Sequence, residues 1–548
     1  MSKNISKLSG RNGLDNNLFE RLGQAAAADG TPSIEALNEI RREFLVGKST
    51  VYGAASFYDF LREENRGKKA YVCNGSACRT AGTQKAVHEK LKSHFADNEI
   101  GEMCCLGRCH ENAAFHVDGH NYSGADIDAF VKTNTLPTTE KYNVGHLGTP
   151  ILTAPYGEVD AYYAIWKNCL SRSREELLAE LKDSGVRGRG GAGFPMAFKL
   201  ESCKNTPGDE KYIVCNADEG DPGAYSDRYI MEQRPHHLLM GMMIAGYIIG
   251  ANHGVVYIRG EYPESVTIVQ EAINDLMQRG LIGENILGSG WNFYFKVIKA
   301  QGAYICGEET ALLSSIEGQR PEVRVRPPYP TQHGLFDMPT VVNNVETLAC
   351  LPFIMKHGGK HYASIGTAKS TGTKLISLDG HFNAPGIYEA DMGTPLRTVI
   401  DQLGGGFRIP VKAMHIGGPL GGLVPMEKID ALSIDFDSFA REGFLLGHAS
   451  VVCIPENYPL IDYIKHLFQF TSHESCGKCF PCRLGSKRGA EMLEKAVNED
   501  YKIDRTLFND LITTMEIGSL CALGGGLPLP VRNALKYFDA ELKTYFQG

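Results

Sequence analysis

The chain has 548 residues, of which 43% are hydrophobic and 22% are charged, and its formal net charge is −8. This length allows about three or four domains, each with its own core, and the composition is that of an ordinary globular protein. The modest acidic charge argues against nucleic acid as the main partner.

No secretory signal is expected, because residues 1–16 are polar and contain no apolar core. The segment Leu238–Ala251 has fourteen uncharged residues, too few to span a bilayer. We therefore predict a buried helix there and no direct membrane span. Fifteen cysteines in a chain without an export signal indicate metal ligation in the cytoplasm rather than disulfide bonds.

Taken in chain order, the first predicted elements are helical. Apolar residues at helical spacing predict helices over Ile34–Ile40 and Tyr52–Leu61, so residues 1–66 are interpreted as an N-terminal helical segment. Strand, helix, strand and helix then follow between Lys68 and Thr133. This order predicts a small α/β domain over residues 67–135.

The remaining chain divides into four parts. Residues 136–155 contain turn formers and little periodicity, which predicts a linker. Over 156–360 helices and strands alternate around glycine-rich turns, a pattern typical of a parallel-sheet domain that binds a nucleotide or flavin. Short β-rich pieces predict a small β-grasp-like domain over 361–450, and a helical pattern returns over 451–548.

The last part carries the most informative motif of the chain, Glu474-Ser-Cys-Gly-Lys-Cys-Phe-Pro-Cys-Arg483. Its three cysteines can bind three corners of a cubane cluster, and Cys521 supplies a remote fourth thiolate. Four cysteines also suit a tetrahedral zinc ion, but zinc sites usually contain two separated C-x2-C pairs. We therefore predict a [4Fe–4S] cluster with the ligands Cys476, Cys479, Cys482 and Cys521.

The small α/β domain contains a second cysteine set. Cys73-x4-Cys78 is followed, after a gap of 26 residues, by Cys105-x3-Cys109. Two such pairs fit a [2Fe–2S] cluster in which each pair binds one iron. Cys104 is an alternative ligand, because Cys104-x4-Cys109 would also close a pair. Ordinary buried thiols are the alternative to a cluster.

A glycine-rich loop and three polar motifs occur in the predicted parallel-sheet domain. The glycines of Val186-Arg-Gly-Arg-Gly-Gly-Ala-Gly-Phe-Pro195 allow the backbone to approach a flat or phosphorylated ligand, although such a loop alone is weak evidence. Glu308 and Glu309 lie among glycine and apolar residues, so at least one should point into a site. The three polar motifs are Asn216-Ala-Asp-Glu-Gly-Asp-Pro-Gly223, Tyr304-Ile-Cys-Gly-Glu-Glu-Thr310 and Val342-Asn-Asn-Val-Glu-Thr347.

With these motifs in order, residues 156–548 resemble the NADH-binding flavoprotein subunit of respiratory complex I and its relatives in soluble NAD-linked hydrogenases and formate dehydrogenases. Residues 1–133 resemble the thioredoxin-like [2Fe–2S] subunit of the same module. Their fusion in one chain resembles the diaphorase subunits of NAD-linked hydrogenases. The resemblance implies a multidomain α/β fold with N-terminal helices, a thioredoxin-like [2Fe–2S] domain, a Rossmann-like FMN domain, a small β-grasp domain and a helical [4Fe–4S] domain.

The resemblance also implies which residues bind FMN and the dinucleotide. Asn343, Asn344 and Thr347 would hold the phosphate or ribityl chain of FMN, and Glu308 and Glu309 would line the nicotinamide side. The implied catalytic residues are Glu309 and Asp221. The implied cofactor-binding residues are Gly188, Arg189, Gly190, Gly193, Phe194, Lys199, Asn216, Asp218, Tyr304, Glu308, Glu309, Arg326, Tyr329, Asn343, Asn344 and Thr347.

The dinucleotide end departs from the family pattern at several positions. Lys199 would lie near the phosphates and Phe194 near the adenine, but a family aromatic residue that packs on adenine falls at Ser202. The other departures are Met196, Ala197, Leu200, Asp221, Arg326 and Tyr329. The resemblance therefore leaves NAD and NADP both open, while the FMN end matches.

The implied activity is that of a diaphorase. Hydride transfer between NAD(P)H and FMN would be followed by single-electron transfer through the two clusters to a partner, such as a hydrogenase or formate dehydrogenase, in a hetero-oligomeric complex. One alternative is a subunit of an electron-bifurcating complex. Such relatives often carry further cysteines after the cluster motif, whereas none follows Cys521 here. A second alternative is a flavin-less iron–sulfur assembly module, which would have lost the glycine loop or Asn343 and Asn344.

Overall fold

The computed structural model describes residues 13–14, 18–27, 30–133 and 142–548. Within the described part of residues 1–66, three helices form the predicted helical segment. The helix predicted over Tyr52–Leu61 ends at Ala55, because the chain then turns to bury Phe57 and Tyr58. The helices are α1 (Leu18–Ala26), α2 (Ile34–Glu43) and α3 (Lys48–Ala55).

The small α/β domain is built on a four-stranded sheet in the order β2-β1-β3-β4. β1 is parallel to β2 and antiparallel to β3, and β4 is antiparallel to β3. The sequence predicts β1 and β3 but not β2 and β4, because β2 has a charged, exposed residue and β4 is mostly polar. The elements are β1 (Ala70–Cys73), α4 (Ser76–Thr80), α5 (Gln84–Leu91), β2 (Ile100–Met103), β3 (Ala114–Val117), β4 (His120–Ser123) and α6 (Ile127–Thr133).

A strand follows in the segment where the sequence predicts a linker. This strand, β5 (Asn143–Leu147), extends a sheet formed mainly by much later residues. Its side chains are exposed or half-buried, so backbone pairing rather than an apolar pattern stabilises it. The sequence therefore carries no clear strand signal at this position.

The flavin-type domain contains a fully parallel sheet in the order β8-β7-β6-β9, surrounded by helices. The buried helix predicted over Leu238–Ala251 is α12, of which only Tyr247 is not buried. The elements are α7 (Val159–Tyr162), α8 (Ala164–Leu170), α9 (Arg174–Ser184), α10 (Met196–Asn205), β6 (Tyr212–Ala217), α11 (Ser226–Gln233), α12 (Pro235–Ile249), β7 (His253–Ile258), α13 (Pro263–Gln278), β8 (Tyr294–Lys299), α14 (Glu309–Ile316), β9 (Thr340–Asn344), α15 (Val345–Ala349), α16 (Leu351–His357) and α17 (Gly359–Ala363).

A six-stranded mixed sheet follows, in the order β13-β12-β14-β10-β11-β5. β5 pairs with β11 in parallel, so chain from before the flavin-type domain completes the sheet that follows it. The elements are β10 (Thr373–Leu378), β11 (Gly386–Asp391), α18 (Leu396–Thr398), β12 (Val411–Ile416), β13 (Gly422–Pro425), α19 (Phe436–Arg441) and β14 (Ser450–Pro455).

The C-terminal part is helical, and α20 packs along α21. Within the described part of the chain, every helix is too short or too polar to span a bilayer. The elements are α20 (Leu460–Glu474), α21 (Phe480–Asn498), β15 (Ile503–Asp504), α22 (Arg505–Gly518), α23 (Ala522–Gly526), α24 (Pro528–Tyr537), α25 (Asp539–Leu542) and β16 (Phe546–Gln547).

One buried apolar cluster connects three of these parts. It contains Phe19 and Tyr58 from the N-terminal segment, Val255 from β7, and Cys476 and Cys482 from the C-terminal part. Burial of this shared surface fixes the C-terminal cysteines beside the parallel sheet.

Candidate functional site

The glycine-rich loop connects α9 to α10 and lies against the end of β9. The Gly188 N–H donates to the Phe194 carbonyl oxygen at 2.8 Å, which closes the loop. A Cβ atom on Gly190 would lie 2.9 Å from the Cβ of Asn344, so a larger residue would push the loop away. Gly193 has φ 60°, a left-handed conformation that glycine adopts without strain.

The polar motifs meet this loop at one edge of the parallel sheet. Asn216 at the end of β6 is in register with Asn344 at the end of β9, so both side chains lie where parallel strands end. The Arg189 N–H donates to Thr347 Oγ1 at 2.8 Å, and Asn216 Nδ2 donates to the Gly307 carbonyl at 2.7 Å. The fold thus brings together all four motifs, which are separate in sequence.

Buried polar atoms at this edge lack a hydrogen-bond partner in the described part of the chain, among them Asp218 Oδ2 and Asn343 Nδ2. Burial raises the pKa of Asp218 well above its ordinary value. An unsatisfied buried donor or acceptor costs about 1–3 kcal/mol, so the edge favours a ligand with both kinds of group. FMN, with its polar ring edge and ribityl phosphate, fits this requirement.

Arg189 takes part in the loop mainly through its backbone. Its buried guanidinium extends away from the loop, where Nη2 donates to Tyr362 Oη at 3.1 Å and to the Thr371 carbonyl at 2.5 Å. Nε and Nη1 have no partner among the described residues.

Glu309 is held by two cations at the start of α14. Its Oε2 lies 3.0 Å from Lys199 Nζ, and its Oε1 lies 2.9 Å from Arg326 Nη1. Burial alone would raise the pKa of Glu309, but the two cations outweigh this effect and lower it. Lys199 also donates to the Val342 carbonyl at 2.7 Å, which fixes its ammonium group beside β9.

The adjacent Glu308 has a different local role. Its Oε2 accepts hydrogen bonds from the N–H groups of Thr310 and Ala311, both at 2.9 Å, and thereby caps α14. Its other oxygen lies 3.9 Å from Arg326 Nη2. Glu309 thus forms two close ion pairs, whereas Glu308 caps the helix and has one longer ion pair.

Tyr304 connects the acidic loop to the C-terminal cysteine motif. Its hydroxyl donates to Asp221 Oδ1 at 2.7 Å, and its N–H donates to Glu474 Oε2 at 2.9 Å. Burial raises the pKa of Asp221 and raises that of Glu474 to about 7. Glu474 opens the cysteine motif in the sequence, but only the fold places it against Tyr304.

Two of the predicted dinucleotide-binding residues are exposed aromatic side chains, one in the glycine-rich loop and one three residues after Arg326. Phe194 is 47% exposed and Tyr329 is 54% exposed. Phe198, which the sequence motifs do not single out, is 63% exposed, and its ring lies 5.7 Å from that of Phe194 in an edge-to-face arrangement. Ser202 follows one turn later on α10 and donates to Thr331 Oγ1 at 3.0 Å. The sequence signal that could have identified Phe198 was its position as an aromatic residue one helical turn before Ser202.

The N-terminal cysteine set is compact and buried. Cys105 Sγ lies 3.4 Å from Cys109 Sγ, and the other pair comes from the end of β1 and from α4. A Cβ atom on Gly75 would lie 3.2 Å from Cys105 Sγ and 3.5 Å from Cys73 Sγ, so glycine lets the two pairs approach. Hydrogen bonds from Cys109 and Cys73 lower the pKa of Cys105 well below its ordinary value. Cys78 is also buried.

Cys104 is less buried than these four cysteines. It is half-buried, and its carbonyl accepts a hydrogen bond from Arg259 Nη2 at 3.3 Å. Burial, followed by the neighbouring Cys105 and Glu474, raises its pKa well above the ordinary value. The thiol that groups with the other three cysteines is therefore that of Cys105.

The C-terminal cysteines also converge. Cys476 and Cys479 lie between α20 and α21, Cys482 lies in the first turn of α21, and Cys521 directly precedes α23. Burial and the neighbouring thiols raise the pKa of Cys482 to about 11, and burial, the Glu308 carboxylate and the neighbouring thiols raise that of Cys521 to about 12. Thiols in such surroundings become thiolates when a metal binds, which fits a metal-cluster site.

Three family models match the chain. Residues 181–352 match the Nuo51 FMN-binding domain, residues 462–545 match the NADH-ubiquinone oxidoreductase-F iron–sulfur binding region, and residues 5–133 match the thioredoxin-like [2Fe–2S] ferredoxin. The chain is 40% identical over 400 residues to the F 2 subunit of the NADH-quinone oxidoreductase of Rhizobium meliloti, covering 72% of this chain and 94% of that protein. The chain belongs to the flavoprotein family of the NADH-quinone oxidoreductases.

Two hydrogenase components are also similar to this flavoprotein. It is 41% identical over 379 residues to the NADP-reducing hydrogenase subunit HndC of Solidesulfovibrio fructosivorans, covering 69% of this chain and 77% of that one. A crystal structure of NAD+-reducing [NiFe]-hydrogenase in the air-oxidised state matches with a TM-score of 0.85 and 28% identity, covering 98% of this chain and 95% of that chain.

These matches confirm several predictions. FMN, a [4Fe–4S] cluster and a [2Fe–2S] cluster are the cofactors, and the multidomain α/β fold is as predicted. The zinc interpretation and the flavin-less interpretation are therefore wrong. The chain is an NAD(P)H oxidoreductase of the diaphorase type.

Proposed function

We propose that this flavoprotein is the NAD(P)H-oxidising subunit of a hetero-oligomeric complex whose partner enzyme is a hydrogenase. FMN, when bound, exchanges two electrons with a nicotinamide and single electrons with an iron–sulfur cluster. The observation that carries the proposal is Tyr304, which joins the acidic loop of the flavin site to Glu474 of the cluster motif. The similarity along nearly the whole chain to the NAD+-reducing hydrogenase structure supports the choice of partner. The compartment we propose is the cytoplasm.

We assign the loop and strand-end residues to flavin binding. Gly190 keeps the loop backbone close to β9, Gly188 closes the loop through its N–H group, and the Arg189 N–H bonds to Thr347 Oγ1. Asn343 Nδ2 and Asp218 Oδ2 are the buried donor and acceptor that the flavin would satisfy. The other residues that we assign to flavin binding are Gly193, Asn216, Asn344 and Thr347.

We assign the ion-paired residues and the exposed aromatic residues to dinucleotide binding. Lys199 and Arg326 carry donors for phosphate oxygens, and Glu309 holds both in place. Phe194 and Tyr329 offer rings for stacking of a base. Both NADH and NADPH suit a site with these two cations.

Hydride transfer requires no proton acceptor on the protein. We therefore assign Glu309 and Asp221 an orienting role at the nicotinamide rather than that of a general base. Tyr304 fixes the Asp221 carboxyl by its 2.7 Å hydrogen bond. Glu308 caps α14 and so sets the position of Glu309.

Each cysteine set has its own contact with the flavin-type domain. The Gly223 N–H, in the acidic loop, donates to Cys109 Sγ at 3.3 Å. Glu474, at the start of the other cysteine motif, accepts from Tyr304. We infer that electrons can leave the flavin site in two directions, with the C-terminal cluster leading to the partner.

Replacement of Glu309 with glutamine should slow flavin reduction by NAD(P)H about tenfold or more, because charged hydrogen bonds contribute about 1.5–3 kcal/mol. Anaerobic stopped-flow absorbance measures the flavin bleaching, and EPR should detect both cluster signals unchanged. Glu201→Gln is the matched control, since Glu201 is a glutamate whose ion pair, with Lys182, lies on the exposed surface. Equal bleaching rates in Glu309→Gln and the native chain would contradict the assignment.

A further inference from the structure

A buried charged cluster lies behind the flavin-site edge. His448 Nε2 lies 3.3 Å from Glu219 Oε1 and 3.5 Å from Asp227 Oδ2. The three residues are 5%, 4% and 2% exposed, respectively. Glu219 belongs to the acidic loop, Asp227 to α11, and His448 to the turn before β14 in the six-stranded sheet. The cluster therefore joins the two domains.

Each carboxylate in this cluster is also bonded to the flavin-type domain. Glu219 accepts from the N–H groups of Asp227 at 2.9 Å and Arg228 at 3.1 Å, which fixes the start of α11. Asp227 Oδ2 accepts from Asn344 Nδ2 at 2.5 Å. Asp227 is thus the direct link between His448 and a residue assigned to the flavin.

The carboxylates keep His448 charged. Burial alone would lower the pKa of His448, but the adjacent carboxyl groups of Asp227 and Glu219 outweigh this effect and raise it to about 9. Burial raises the pKa of Glu219 to about 7. At neutral pH the His448 imidazolium therefore faces the carboxyl groups of Asp227 and Glu219, and it loses its proton only as the pH approaches 9.

Other charged groups face the same cluster. Lys374 on β10 opposes a positive charge on His448, but it forms a fully buried ion pair with Glu346 of α15. Burial raises the pKa of Asp221, and the positive charge of His448 offsets part of this increase. The environment of His448 is therefore acidic overall, which favours the protonated form of the imidazole.

We propose that His448 is a positioning residue of the flavin site, whose imidazolium orients Asp227 for its hydrogen bond to Asn344 and adds positive charge beside the flavin. The inference rests on the proposed function, because that function assigns Asn344 to FMN. With His448 in this role, the six-stranded sheet contributes to cofactor binding. A positive charge at this place favours the reduced flavin, which is the more negatively charged form.

The test compares His448→Gln with His415→Gln in the full chain. Glutamine keeps hydrogen-bonding groups but carries no charge. His415 is the matched control, because it is similarly buried on β12 of the six-stranded sheet, bonds to Tyr463 Oη at 2.7 Å, and has a pKa lowered by burial to about 4. The readouts are the FMN dissociation constant, from the fluorescence of released flavin, and the flavin midpoint potential, from spectroelectrochemical titration.

We expect His448→Gln to bind oxidised FMN about tenfold more weakly, because a charge-assisted contact is lost. The affinity for reduced FMN should fall by about a further tenfold. This difference corresponds to a fall of about 30 mV in the two-electron midpoint potential. His415→Gln should match the native chain in both measurements. Asp227→Asn provides a second variant, and it should weaken FMN binding in the same direction.

Three outcomes would overturn the proposal. The first is a folded His448→Gln chain, with its full iron content, that keeps the native flavin affinity and potential. The second is that His448→Gln fails to fold and Asp227→Asn keeps both native values. The third is a stoichiometric divalent metal in the native chain whose removal changes the flavin as His448→Gln does, since the same three side chains could hold an ion. A native chain that binds no FMN would instead refute the proposed function.

Discussion

Replacement of Cys482 with serine is expected to remove the [4Fe–4S] EPR signal and to reduce electron transfer to the partner enzyme by more than about 100-fold. Cys482 is buried and lies beside Cys476 and Cys479, so its loss removes one of four converging thiols. NAD(P)H should still bleach the flavin, because Cys482 is not among the residues assigned to FMN or the dinucleotide. Partner-linked turnover and stopped-flow absorbance separate the two steps.

Cys169→Ser is the control for this experiment. Cys169 is buried in α8 and belongs to neither cysteine set, so its replacement should leave the iron content and turnover unchanged. Small dyes that accept electrons directly from flavin should be reduced by both variants. If Cys482→Ser lacks the cluster signal but reduces the partner at the native rate, the route through the C-terminal cluster is wrong.

The second prediction distinguishes two neighbouring cysteines. Cys105→Ala should abolish the [2Fe–2S] EPR signal and lower the iron content by about two atoms per chain, because its thiol lies 3.4 Å from that of Cys109. Cys104→Ala should keep both, since Cys104 is half-buried and packs near Arg259 and Glu474.

The two variants control each other, because they alter adjacent residues of the same type. Iron analysis and EPR of dithionite-reduced protein, purified without air, provide the measurements. Loss of the signal in Cys104→Ala with retention in Cys105→Ala would show that the ligand assignment is reversed.

Features of this chain can be predicted from its sequence where the chemistry demands particular residues at particular spacings. The cysteine sets, the glycine loop and the asparagine motif could be predicted because clusters and phosphates accept few substitutes. The buried helix α12 could be predicted because its residues are apolar on all sides. In each case the determining residues lie close together in the chain.

Other features depend on contacts between distant parts of the chain. β5 carries no apolar alternation, and its pairing with β11 is set by backbone hydrogen bonds. His448 belongs to no sequence motif. Its contacts with Glu219 and Asp227 form only because β14 packs beside the acidic loop. Glu308 and Glu309 are adjacent in sequence, yet one caps α14 and the other forms ion pairs. Such roles follow from tertiary geometry rather than from local pattern.

The central claim is that NAD(P)H electrons enter this chain at FMN and leave through its clusters. Rapid mixing of the anaerobic native chain with NADH or NADPH, followed by absorbance and freeze-quench EPR, tests it most directly. We expect the flavin band to bleach first and the [4Fe–4S] signal to rise afterwards, both faster than partner-linked turnover. A chain with bound FMN whose flavin stays oxidised while the cluster becomes reduced would contradict the account.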